Sequence, residues 1–201
     1  MPLIKRLTLS AIIMLTFLLE AGAPDTDRQV ANPSIQAAAT KSPLKIDAGS
    51  PALHQDNGIL YYNGVLFSGS TTQVHANGRY KDRTAYYHGK KHGQRTSWHA
   101  NGAIRSVRFY QDNRKIGTHK GWWPNGILQY ERDFVKGQYH GKNRDWYQDG
   151  QLASVRHFNR GKEEGAQRTW SLNGDLFANY VVKDGRRYGL LGAKPCFTVQ
   201  N

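Results

Sequence analysis

From Gly58 onward, apolar and aromatic residues recur with a constant spacing of 24 positions. One column holds Trp, a second holds Ile or Leu, and a third holds Tyr, Phe or Val. Their members are Trp98, Trp122, Trp146 and Trp170; Ile104, Leu128, Leu152 and Leu176; and Tyr86, Tyr110, Phe134, Phe158 and Val182. The repeated units lack the i, i+3, i+4 apolar pattern of a helix, so each unit is predicted to contain two strands and two turns.

Each unit also carries two turn signals. One is a column of Gly89, Asn113, Gly137, Gly161 and Gly185. Because Asn tolerates positive φ better than other non-Gly residues, this column predicts a left-handed backbone position. The other signal is Asn-Gly or Asp-Gly, which allows a two-residue loop pairing Trp98 with Arg105, or a three-residue bulged loop pairing Trp98 with Ile104. The apolar columns favour the second loop.

Strict alternation places Trp98, Ile104 and Tyr110 on one face of the sheet. A further column, formed by Gly93, Gly117, Gly141, Gly165 and Gly189, is expected to leave room for a neighbouring ring. One hairpin alone is marginal, but a row of hairpins shares an apolar stripe. The predicted fold is all-β, an elongated single antiparallel sheet of tandem β-hairpins with about 10 to 13 strands.

Two basic columns fall in the same predicted phase as the Trp residues. They are Arg108, Arg132 and Arg156, and Lys120, Arg144 and Arg168. With Trp98, Trp122, Trp146 and Trp170, these six residues form the candidate binding surface. Two interpretations stay open. The cations grip a linear polyanion or a lipid surface beside the aromatic rings, or their stems cover the apolar stripe while their charges stay in water.

Charge and the chain ends add a location. The 201 residues carry a net charge of +13, which suits an acidic partner or simply keeps a long sheet soluble. Lys5 and Arg6, an apolar run and Ala21-Gly22-Ala23 predict a secretory signal over 1–23, with an uncleaved anchor as the alternative. We expect a flexible linker over 24–57, repeats over 58–192 and a C-terminal cap or tail over 193–201. The protein is then exported to the periplasm, cell surface or medium.

The repeated unit resembles a known family. The segments "GKKHG…WHANG", "NRKIG…WWPNG", "GQYHG…WYQDG" and "GKEEG…WSLNG" are similar to the bacterial variant of the MORN repeat, over roughly residues 58–192. The resemblance implies an antiparallel sheet of hairpins with a scaffolding or binding role. Proteins with this variant are often labelled antitoxins, although a neutraliser of a cytoplasmic toxin would not need an export signal.

The sequence offers no reaction centre. Of the eight His residues, His75, His92, His99 and His140 occupy variable repeat positions, the set shows no recognised metal-ligand spacing, and the single cysteine, Cys196, has no evident base partner. We therefore expect no catalysis, no metal and no cofactor. We expect a monomer whose partner is a protein or an anionic lipid or polysaccharide, and not nucleic acid. A cell-wall glycan binder and an antitoxin-like protein remain alternatives.

Overall fold

A computed structural model describes residues 44–192. These residues form β-strands joined by short turns. The strands are β1 (Lys45–Asp47), β2 (Leu53–Asp56), β3 (Ile59–Tyr62), β4 (Val65–Leu66), β5 (Gly69–Val74), β6 (Tyr80–Tyr87), β7 (Lys90–Trp98), β8 (Ile104–Gln111), β9 (Arg114–Trp122), β10 (Leu128–Val135), β11 (Gln138–Tyr139), β12 (Gly141–Trp146), β13 (Leu152–Asn159), β14 (Lys162–Trp170), β15 (Leu176–Lys183) and β16 (Arg186–Leu190).

Thirteen strands form one large sheet in which consecutive strands are neighbours. The order runs β1, β5 to β10, and then β12 to β16, while the short β11 pairs with the end of β10. Every pairing is antiparallel except that between β1 and β5, which is parallel. The predicted all-β fold of tandem hairpins is therefore confirmed, with the parallel strand β1 as an addition at one edge.

The start of the described chain corrects one prediction and adds to another. Residues 45–47 and 53–56 lie within the expected flexible linker, yet they form β1 and β2. A second sheet of three strands, β2–β3–β4, is also present in addition to the large sheet that was predicted. Phe67 joins the small sheet to the large one and is 2% exposed. Its ring centroid lies 6.1 Å from that of Tyr62 in β3 and 5.9 Å from that of Tyr86 in β6. The expected signal peptide, residues 24–43 of the expected linker and the C-terminal cap lie outside the described residues.

The turns follow the predicted chemistry. Trp98 pairs with Ile104, and Gly102 has a φ of 92°, so the three-residue loop is confirmed. At the other end of the unit, Gly89 and Asn113 have φ values of 76° and 66°. The residue before each is also left-handed (46° at His88), which makes these turns two-residue loops of type I′.

The second glycine column has a different cause from the one predicted. Gly93 and Gly117 have φ values of 89° and 64°, and no ring lies near them. A methyl group at Gly117 would meet no atom within 4 Å. The sheet register shifts beside these glycines, between Thr84 and Tyr86 in one hairpin. Glycine is favoured here because the backbone turns left-handed at a β-bulge.

A second bulge changes which side chains share a face. Ser97 pairs with Ser106, whereas Trp98 pairs with Ile104, so one extra residue lies in β8 just after the loop. Because a bulge of this kind shifts the alternation by one, Tyr110 lies on the face opposite Trp98. The predicted shared face of Trp98, Ile104 and Tyr110 is wrong, and the same register shift recurs at Trp122, Trp146 and Trp170.

The large sheet therefore has two chemically distinct faces. We call one the Trp face, defined by Trp98, Trp122, Trp146 and Trp170. We call the other the ring face, defined by Tyr110, Phe134 and Phe158. The ring face is better packed, since Tyr110 and Phe134 are 7% and 5% exposed. Tyr139 lies between Phe134 and Phe158 in the row of rings, with its ring centroid 4.7 Å from that of Phe134 and 5.2 Å from that of Phe158.

Candidate functional site

The Trp face carries a row of half-buried indole rings. Each Trp ends the second strand of a hairpin and pairs with the aliphatic residue that begins the next strand, as Trp146 does with Leu152. Since a repeat contributes two strands, successive Trp residues are about 10 Å apart across the sheet. Ile104 and Leu176, at two ends of this row, remain 45% and 44% exposed. The stripe is thus only partly covered by its own neighbours.

Three of the six predicted cations lie on the Trp face. Lys120 and Arg144 flank Glu131, with Nζ–Oε2 at 3.0 Å and Nη1–Oε1 at 2.7 Å. Arg168 is exposed, and its Nε donates to Asn179 Oδ1 at 3.3 Å. These residues keep the predicted phase because they lie on the second strand of each hairpin, the same strand as the Trp, where no bulge intervenes.

The other three cations lie on the ring face, which corrects their predicted phase. Arg108, Arg132 and Arg156 follow the bulge that separates them from the aliphatic column. Arg132 bonds Asp145 at 2.7 Å and lies 4.5 Å from the centroid of the Tyr130 ring. Burial opposes its charge, but the hydrogen bond and charge of Asp145 raise the pKa of Arg132. This cation therefore has a partner within the sheet.

A buried polar column on the ring face was not predicted. His119, Asn143 and Gln167 are 2%, 4% and 1% exposed. Each lies beside a glycine bulge, where the regular ladder is interrupted. Asn143 Oδ1 accepts from the Asp133 N–H at 2.9 Å, and Gln167 Nε2 donates to the His157 carbonyl at 2.8 Å. These side chains replace the hydrogen bonds that the bulge removes.

His119 is the ionisable member of this polar column. Its Nε2 lies 3.1 Å from the Phe109 nitrogen and 2.9 Å from the Phe109 carbonyl oxygen. Burial, with the positive charges of Lys115 and Arg108, lowers the pKa of His119 below its ordinary value of 6.5. The neutral imidazole, which accepts from the Phe109 N–H, is the form that fits this site.

A second unpredicted set links the loops of successive hairpins, and we call it the loop ladder. Its donors are His75, His99, Trp123 and Tyr147. Each reaches the backbone carbonyl of the Trp in the next unit, at 2.8 Å from Tyr147 Oη to the Trp170 oxygen. Asn101 and Asn125 add bonds of 2.9 Å between neighbouring loops. Because every residue in this column carries an N–H or O–H donor, its chemical likeness was visible in the sequence despite the varied residue types.

Within 44–192 no three His, Cys, Asp or Glu side chains lie close enough together to hold a metal ion. No helix in the same range is long and apolar enough to cross a membrane. What the site offers is an exposed surface of aromatic, aliphatic and basic side chains on a hydrogen-bonded sheet.

Comparison with known proteins agrees with the repeat structure. The family model described as a MORN repeat variant matches residues 91–112, 115–136 and 139–160. The three matches begin 24 residues apart, as equivalent strands of successive hairpins do. They support a MORN-repeat protein, a family whose repeats form non-catalytic modules. No curated protein matches the chain.

Proposed function

We propose that this chain is an exported, non-catalytic binding or scaffold module that contacts a partner protein or an anionic envelope surface through its Trp face. The observation that carries the proposal is the coincidence on one face of four spaced Trp residues and a basic column. The ring face is a weaker candidate, because its aromatic rings are buried and Arg132 is neutralised by Asp145.

The charge distribution supports an acidic partner. The whole chain has a net charge of +13, and on the Trp face Glu131 is shared between Lys120 and Arg144. Arg168 makes no salt bridge with any residue between 44 and 192. A surface with surplus cations speeds encounter with an acidic partner and makes binding sensitive to salt.

The binding surface is tested by two matched charge reversals. Arg156 and Arg168 are both exposed and lie on the neighbouring strands β13 and β14, but on opposite faces of the sheet. Arg168→Glu should weaken co-sedimentation with anionic vesicles or capture of the envelope partner by at least about tenfold at low salt. Arg156→Glu, with the same change in charge, should have a much smaller effect.

The same assay distinguishes the alternatives. Equal loss in both variants would show that net charge, not the Trp face, drives binding. Binding to neutral glycan that persists at high salt and is abolished by Trp122→Ala would replace the proposal with the cell-wall glycan alternative. Export is tested separately by fractionation, since a full-length chain with its N-terminus intact in the cytosol would contradict it and favour the antitoxin-like alternative.

A further inference from the structure

A row of three residues across the Trp face shows how this sheet binds a carboxylate. Lys120, Glu131 and Arg144 are direct neighbours on β9, β10 and β12. Glu131 lies in the middle and bonds both cations, at 3.0 Å to Lys120 Nζ and 2.7 Å to Arg144 Nη1. The protein thus supplies its own anion between two cations that are two strands apart.

The next row along the sheet repeats this arrangement without the anion. Arg144, Val155 and Arg168 are direct neighbours on β12, β13 and β14. Val155 takes the place that Glu131 has in the preceding unit, 24 residues earlier. The two guanidinium groups therefore flank an aliphatic side chain, about 10 Å apart at their backbones.

This position is an open groove of suitable size and lining. It has a volume of about 350 Å³, and its lining includes Val155, Leu152 and Trp170 as well as the cations Lys142, Arg144 and Arg168. That volume is in the range of sites that hold small ligands. None of the lining residues is an Asp or Glu.

The cations retain unused donors. Arg144 bonds Glu131 through Nη1, which leaves other N–H groups of its five-donor guanidinium. Lys142 and Arg168 form no salt bridge with any residue of the described range. Arginine donors in this geometry bind carboxylates through charge-assisted hydrogen bonds.

We propose that this groove binds a carboxylate side chain of an acidic peptide segment, in the position that Glu131 occupies one unit earlier. The inference rests on the proposed function and names the partner chemistry for the Trp face. A peptide is favoured because the carboxylate bound in the preceding unit is itself a Glu side chain, that of Glu131. Leu152 and Trp170 provide an apolar wall for the residue beside the acid. Trp146 and Trp170 pair with Leu152 and Leu176 at the strand ends, which leaves less open ring face for a stacked sugar.

The test uses the blocked peptide acetyl-Leu-Glu-Leu-amide and its Gln counterpart, titrated against the full chain by calorimetry. Wild type should bind the Glu peptide at least about tenfold more tightly than the Gln peptide, because only the carboxylate makes charge-assisted bonds. Arg168→Gln should lose that preference. Galacturonate oligomers and inorganic phosphate serve as competing probes.

Two further variants separate a local site from general charge. Val155→Glu places an internal acid between Arg144 and Arg168 and should abolish peptide binding. Val107→Glu makes the same change at the equivalent position of an earlier unit, where its neighbours are Thr96 and Lys120, and should leave binding within about twofold. Val155→Glu should also melt at a higher temperature than Val107→Glu, since opposite charges meet directly across the strands.

Each outcome has a defined meaning. Equal affinity for the Glu and Gln peptides, equal loss in the two Val variants, or tighter binding of galacturonate or phosphate than of the peptide would overturn the inference. A chain that fails these tests but still loses its envelope ligand selectively in Arg168→Glu would keep the proposed function and refute only the peptide site.

Discussion

The substitution Gln167→Leu tests whether the buried polar column holds the bulges together. Gln167 is 1% exposed, and Leu has nearly its volume, so hydrophobicity alone predicts a neutral or stabilising change. The structure predicts the opposite. Gln167 accepts from the His157 N–H at 3.3 Å and donates to the His157 carbonyl at 2.8 Å, and Leu would leave both groups of that backbone unit without partners.

The expected cost follows from those two bonds. An unsatisfied buried polar group costs about 1 to 3 kcal/mol. His157 is only partly buried, so each group is placed near the lower end of that range, and the total loss is about 2 kcal/mol. Urea denaturation, followed by both Trp fluorescence and circular dichroism, gives the free energy of unfolding. Hydrogen exchange at the His157 amide should also accelerate.

A matched control lies on the other face. Gln94 is exposed, and its side chain bonds only Thr96 Oγ1, at 2.8 Å. Gln94→Leu should change the free energy of unfolding by less than about 0.5 kcal/mol. If Gln167→Leu changed the free energy of unfolding as little as Gln94→Leu, the polar column would only fill space, and its hydrogen-bonding role would be refuted.

Three other substitutions address the rest of the sheet. Tyr147→Phe removes only the hydroxyl that donates to the Trp170 carbonyl at 2.8 Å, and it should lower the free energy of unfolding in urea by about 1 kcal/mol; no change would mean that the loop ladder contributes nothing to stability. Phe134→Ala, at a side chain 5% exposed, should cost about 3 kcal/mol in the same assay, and a loss below 1 kcal/mol would contradict the ring face as the core. Burial lowers the pKa of His119 below 6.5, so the unfolded chain takes up a proton first and stability falls as pH drops below that value. His119→Gln should therefore flatten the decline of melting temperature between about pH 7 and pH 5, and an unchanged slope would refute this role.

The strands and turns were predictable because their signals are local. Asn113 in a column of glycines indicates a left-handed backbone, and the pairing of Trp98 with Ile104 follows from the loop length. The faces were not predictable from alternation alone. The extra residue, between Ile104 and Ser106, is neither Gly nor Pro, so its residue type does not indicate a bulge. Because of this bulge, Arg108 and its equivalents lie on the ring face and not on the predicted Trp face.

The loop ladder and the polar column escaped prediction for a related reason. Column 75, 99, 123 and 147 holds His, His, Trp and Tyr, which differ in size and hydrophobicity but share a side-chain donor. Column 119, 143 and 167 holds His, Asn and Gln, which share an acceptor. Residue type varies in both while hydrogen-bonding capacity persists, and a search for repeated residue types does not detect that.

The uniform spacing of the hairpins limits how such a chain could change its length. One residue inserted into β10 would move every later side chain of that strand from the Trp face to the ring face or the reverse. It would also carry the Lys120–Glu131–Arg144 row out of alignment. Duplication of a complete unit, by contrast, would give each donor of the loop ladder a Trp carbonyl in the next unit at the same distance. Growth or loss in whole hairpins is therefore the route that preserves both surfaces, and each added unit supplies one more position at which an internal acid is either kept or replaced.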